Sequence, residues 1–255
     1  MKYGVCSSFE NVKAAAAAGC SYIECSVYGL VSLPEQERLE FADDLKRSGI
    51  RCEAMNILFP GDLALIGPDS SDAAIKEYLT GAFGYIAPFK TEIVVFGSGK
   101  ARTRPEGVSD NEAFDRLTTV GRMIAAAADE HGITIALEPL NRKEANCINS
   151  LAEGAALVRS VDRPNFRLLA DMYHILAENE PAGEIELYGD LIVHVHTAAF
   201  EGRACPRLQD NELLEPFFTA LRKIGYNKRM SVEGNFNDMI PDLKEAFELF
   251  DKLTD

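Results

Sequence analysis

The chain has 255 residues, 26 Lys+Arg against 40 Asp+Glu, and a formal charge of −14. That balance argues against nucleic acid as the main partner, because phosphate backbones require clustered Lys and Arg and an acidic chain repels them at long range. An apolar content of 47% fills a sizeable core, no apolar run reaches the roughly 18 residues of a membrane span, and the opening MKYGVCSSFE lacks a signal-peptide core, so a soluble, cytoplasmic protein without a membrane partner is expected.

In chain order, short β-type runs occur at Tyr3–Ser7, Tyr22–Val27, Arg51–Leu58, Glu92–Ser98, Ile133–Pro139, Phe166–Met172, Leu191–Ala198 and Arg229–Glu233. They are continuously apolar rather than alternating (IVVFG, TIALEP, RLLAD, LIVHVH), as parallel strands buried on both faces must be. Helix-length segments lie between them. The alanine run Ala14–Ala18 closes at Gly19; a segment opening at Pro34-Glu35 ends at Ser48-Gly49. Asp110 to Glu130 reads as a long amphipathic helix stopping at His131-Gly132, and Pro241–Leu253 as the last helix. Eight strand–helix units in 255 residues fit an α/β protein whose parallel sheet closes into a (β/α)8 barrel, the TIM-barrel architecture. With no linker, low-complexity tract or change of composition, residues 1–255 are expected to form a single domain. The scattered cysteines Cys6, Cys20, Cys25, Cys52, Cys147 and Cys205 contain no C-x-x-C pair and read as reduced core thiols.

In such a barrel the chemistry sits at the C-terminal ends of the strands. The fifth run ends in Leu137-Glu138-Pro139, the sixth in Ala170-Asp171-Met172, the seventh in Val193-His194-Val195-His196 and the eighth in Val232-Glu233-Gly234. A single acid at a strand end commonly caps the next helix. Acids and an imidazole at successive ends, each behind apolar residues, need a shared partner, because an unpaired buried carboxylate costs several kcal/mol. One divalent metal ion bound by Glu138, Asp171, His196 and Glu233 meets that need. Oxygen and nitrogen donors suit Mn2+ foremost, with Co2+ or Mg2+ as alternatives, and no cysteine joins the set. His196 is chosen over His194 because it lies nearer the strand end; His194, on the same side of the strand, is expected one layer deeper as a hydrogen-bonded core residue.

The segments IALEPLNR at Ile135–Arg142, LLADMYH at Leu168–His174, HVHTA at His194–Ala198 and SVEG at Ser231–Gly234 resemble the sugar phosphate isomerase/epimerase superfamily, the xylose-isomerase-like barrels that include D-tagatose and D-psicose 3-epimerases. The resemblance runs over essentially the whole chain. It implies that Glu138 and Glu233 also act as an acid/base pair on opposite faces of the sugar, and that Glu144, His174 and Arg203 bind substrate. The loop Ala199–Pro206 (AFEGRACP) departs from the epimerase pattern, which leaves ketohexose specificity open. The expected reaction is isomerisation or epimerisation of a ketose or related hydroxyketone through an enediolate. Alternatives on the same scaffold are a lyase resembling inosose dehydratases or carbon–glycoside-cleaving enzymes, a multi-zinc abasic-site endonuclease, and a binding protein that has kept the barrel. Barrels of this kind often pair, so a homo-oligomer is expected, with a small carbohydrate as the other partner.

Two further loops are expected to shape the site. Asn56–Gly61 offers an apolar wall, and Gly97–Arg104 concentrates Lys100, Arg102 and Arg104, read either as an oxyanion site or as a surface or subunit contact. Glu24 and Glu53 on early strands read as polar lining without an assigned role.

Overall fold

In the computed structural model, which describes residues 1–254, a strand falls on every one of these runs, the first beginning one residue earlier than expected: β1 Lys2–Cys6, β2 Tyr22–Ser26, β3 Arg51–Asn56, β4 Ile93–Phe96, β5 Thr134–Leu137, β6 Phe166–Asp171, β7 Ile192–Thr197 and β8 Arg229–Val232. Each pairs in parallel with the next, and β8 returns to β1 along Lys2↔Arg229 to Val5↔Val232, which closes the barrel. Closure leaves no unpaired strand edge. Most ladders stop before the apolar runs do, because the last residues of each run leave the sheet to line the C-terminal mouth.

Alternation along the strands divides the core in two. One face, with Ile23, Val94, Leu137, Leu168 and Val195, packs against the surrounding helices. The other fills the barrel with a separate cluster of Tyr22, Ala54, Ile93, Val95, Ala136 and Leu169. Two residues further along, the same inward faces carry Glu24, Asn56, Glu138 and Asp171, so an apolar plug supports a polar layer. The plug is tight: a Cβ on Gly4 would run into the Tyr22 ring.

The helix signals are met. Val12–Ala18 ends at Gly19 with φ +93°, and Glu35–Ser48 ends at Gly49 with φ +73°, left-handed conformations that glycine adopts without a Cβ penalty. Asp110–Asp129 opens with a Ser109–Glu112 capping box and buries Leu117, Val120 and Ile124. Met239–Thr254 closes the chain's described part. Three short helices, Val27–Ser32, Met172–Ala177 and Glu184–Leu187, were not expected; six residues or fewer are too short to show a helical period.

Glu53 does not line the mouth. It sits at the opposite end of the barrel, where it accepts from Lys2 Nζ at 2.9 Å and Arg229 Nε at 2.6 Å. All six cysteines are free, with Cys20, Cys25, Cys52 and Cys205 buried.

Candidate active site

Glu138, Asp171, His196 and Glu233 converge at the C-terminal mouth, each offering one ligand atom within 4.8 Å of the others. Asp171 reconciles the capping and ligand readings. Its Oδ1 accepts from the Tyr173 N–H at 2.7 Å and starts helix Met172–Ala177, while its Oδ2 faces the mouth. Glu138 Oε1 lies 3.1 Å and Glu233 Oε2 3.2 Å from His196 Nδ1, so Nδ1 is the nitrogen turned toward the acids. Burial, reinforced by the charge of Glu233, lifts the Glu138 carboxyl above its ordinary range. Burial alone would lift Asp171 too, but His174, His196 and Arg203 outweigh it and hold that carboxyl low. A metal–oxygen bond of roughly 2.0–2.6 Å sets opposite ligands about 4–5 Å apart, so three carboxylates and one imidazole nitrogen at this spacing fit a hard divalent cation.

Beneath this layer lies a network that sequence reading left without a role. Glu24 is fully buried; it accepts at 2.7 Å from His194 Nε2, at 3.0 Å from His196 Nε2 and at 2.7 Å from the Ser231 hydroxyl, itself 2.7 Å from the Tyr22 hydroxyl. Although burial opposes ionisation, the two histidines keep the Glu24 carboxyl well below its usual range. An ionised Glu24 holds the Nε2 proton of His196 and leaves Nδ1 to the acid cluster, the tautomer a metal ligand requires. His194 is therefore the deeper, hydrogen-bonded residue expected of it. Cys6 stands closer to the set than expected, with Sγ 3.8 Å from His196 Nε2. Burial and the Glu24 charge push its thiol well above the ordinary value, so it remains a neutral neighbour.

The residues carried over from the resemblance surround the cluster. Arg203 Nη2 donates to Glu233 Oε2 at 2.7 Å and Asp171 Oδ2 at 3.4 Å, and Nη1 reaches Glu144 Oε1 at 3.3 Å. The guanidinium also lies 4.6 Å over the Tyr173 ring. His174 Nδ1 accepts from the Asn141 backbone N–H at 3.2 Å, which leaves the proton on Nε2, a buried atom with no hydrogen-bond partner. Asn141, not singled out from sequence, also donates to Glu144 Oε1 at 2.9 Å.

The basic loop does not gather its cations on one anion. Arg102 is fully buried and donates from Nη2 to the Glu138 backbone carbonyl at 2.8 Å, Arg104 pairs with Asp110, and Lys100 alone of the three reaches the mouth. The apolar wall is present as Ile57 and Phe59.

Comparison with known proteins agrees with this fold. The family described as "Xylose isomerase-like TIM barrel" matches residues 12–253. The chain belongs to that family. An L-ribulose 3-epimerase of Methylomonas sp. (strain DH-1) is 33% identical over 141 residues, 55% of this chain and 48% of that protein. The chain thus spans about half the length of the curated relatives it matches. Two solved structures have a similar barrel. A Methylomonas sp. D-allulose 3-epimerase in complex with D-allulose has TM-score 0.83 and 21% identity, covering 99% of this chain and 96% of its own. A 3-keto-D-glucoside 4-epimerase of Escherichia coli has TM-score 0.80 and 18% identity, covering 99% of both chains. Among the described residues no helix is long and apolar enough to cross a membrane.

Proposed function

We propose that the protein is a divalent-metal-dependent sugar epimerase or isomerase acting on a ketose or related hydroxyketone. The convergence of Glu138, Asp171, His196 and Glu233 on one point carries this reading. These four would hold Mn2+, or Co2+ or Mg2+ in its place. Bound there, the ion would supply Lewis acidity to a substrate carbonyl.

The chain's own groups supply the rest. Glu138 projects from the end of β5 and Glu233 from the end of β8, so their carboxylates approach a substrate from different sides. One removes the proton next to the carbonyl, and the other returns a proton to the opposite face and inverts that carbon. His174 Nε2–H and the Arg203 guanidinium donate to sugar oxygens, and Glu144 accepts from a hydroxyl. Phe59 and Ile57 exclude water from one side. The ketose 3-epimerase and 3-keto-glucoside 4-epimerase names among the relatives both require such a proton transfer beside a ketone.

Exchange with solvent tests the pair. Each of Glu138→Gln and Glu233→Gln lowers turnover at least 100-fold, the lower end of general acid–base contributions. A loss under tenfold in either contradicts the assignment. A dehydrated or cleaved product in place of one of equal mass selects the lyase, and two or three bound zinc ions select the endonuclease.

A further inference from the structure

The mouth of the barrel holds two adjoining cavities. An inner cavity of about 260 Å³ lies between Glu138, His174 and Lys100. A larger one of about 420 Å³ opens on the β1 side and falls within the roughly 300–1,000 Å³ of small-molecule sites. They meet at a waist formed by Ile57, Arg203 and Glu233, which line both. A carbon held between Glu138 and Glu233 borders the inner cavity, the only one of the two that Glu138 lines, and the outer cavity opens beyond it on the far side of Glu233.

The lining of the outer cavity fixes the chemistry of what enters it. Ser7 and Ser8 hydroxyls accept from Asn11 Nδ2 at 3.0 and 3.1 Å, and the Ser26 hydroxyl accepts from the Gly29 N–H at 2.9 Å. Each of these serines therefore keeps its own O–H to donate. Among the described residues the only cation lining it is Arg203, already committed to Glu233 and Asp171. A phosphate finds no free positive charge, whereas a neutral group rich in hydroxyls finds donors and acceptors. At the waist Ile57 is 48% exposed, an apolar face of the kind on which a sugar ring packs. Its φ of +48° is an outlier for a β-branched residue. Ser98 and Arg203, also lining the mouth, have φ of +41° and +47°. Strain of this kind is retained where a binding surface is held in a set shape.

We infer that the outer cavity is a second sugar subsite, and that the substrate is an uncharged keto-glycoside whose second hydroxylated unit passes the Ile57 waist. This rests on the epimerase reading of the inner cavity.

The test compares metal-loaded protein on two probes, a free ketose (D-fructose) and a 3-keto disaccharide (3-dehydrotrehalose). Solvent-deuterium exchange and calorimetric binding are measured for both, in wild type and in Ser8→Tyr. Ser8 is exposed and its hydroxyl, which accepts from the Asn11 side chain, bonds no helix N–H, so a tyrosine there narrows the outer cavity while leaving the strand pairing intact. The expected result is a kcat/KM at least tenfold higher for the disaccharide, carried by KM, and a collapse of that ratio in Ser8→Tyr. Equal or better use of the free ketose, or a ratio unmoved by Ser8→Tyr, overturns the subsite. Tighter binding of the disaccharide with no exchange on either probe supports the subsite and overturns the epimerase reading instead.

Discussion

Replacing Glu24 with glutamine tests whether the buried network sets the metal site from below. The carboxylate serves His194, His196 and Ser231 with two oxygens. Glutamine keeps one acceptor and presents an amide N–H₂ to the other side. Where that amide meets His196 Nε2, the imidazole must accept there and carry its proton on Nδ1, the atom facing Glu138 and Glu233. Metal binding then requires the wrong tautomer to be reversed. Losing an outer partner of this kind costs about 10–100-fold in metal affinity, or roughly 1.4–2.7 kcal/mol at about 1.4 kcal/mol per tenfold. An unmatched buried donor costs a further ~1–3 kcal/mol of fold stability, which in a domain of this size lowers Tm by about 2–4 °C per kcal/mol. Calorimetric titration of Mn2+ into the metal-free protein reads the first effect, and a thermal melt reads the second. Tyr22→Phe removes only the Tyr22–Ser231 contact, one step further out, and weakens Mn2+ less than Glu24→Gln does. Wild-type Mn2+ affinity in Glu24→Gln, with an unchanged melting temperature, would show that Glu24 does not position His196.

Three other perturbations have definite outcomes. Gly97→Ala places a methyl group against a Glu138 carboxylate oxygen; kcat falls at least tenfold while the melting temperature stays near wild type, and unchanged kcat would mean that the carboxylate moves aside freely. Burial would raise the Glu53 carboxyl, but Lys2 and Arg229 outweigh it and hold it below the ordinary glutamate range. With the folded value depressed, the stabilisation is present above the ordinary glutamate range and is lost as pH falls through the folded value, so Glu53→Gln destabilises at pH 7 and the difference from wild type narrows on acidification; a difference that stays constant down to the acid unfolding limb refutes the pairing. Arg203→Ala removes the partner of Glu233 and Asp171 and raises KM for sugar more than it lowers kcat, a split read from steady-state kinetics.

Much of the site was legible because parallel strands buried on both faces leave long apolar runs, and the acid or imidazole that ends each of the last four runs marks the mouth. That is why Glu138, Asp171, His196 and Glu233 could be grouped from sequence, and why the structure draws them together. Glu24 has the same local signature as Glu53, one acid on an early strand. Their fates differ because β2 carries Glu24 to the histidines of β7 across the barrel, whereas β3 leaves Glu53 beside Lys2 and Arg229 at the other end. No local pattern encodes those partners, 170 residues away in the case of His194. The cation loop was ambiguous for a related reason. Lys100, Arg102 and Arg104 are close in sequence, but a turn buries the middle one under Glu138 and sends its neighbours elsewhere. The waist between the two cavities was invisible too, since it depends on the backbone angles of Ile57 and Arg203 rather than on their side-chain chemistry.

Solvent exchange at the carbon beside the ketone bears most directly on the function proposed for this barrel. Metal-free protein is loaded with Mn2+, incubated in D2O with a panel of free and glycosylated ketoses, and the recovered sugars are weighed by mass spectrometry. A single deuterium entering substrate and an isomeric product of equal mass, abolished by chelation and by Glu138→Gln, is the predicted result. No exchange on any member of the panel, or exchange that persists without metal, contradicts the account.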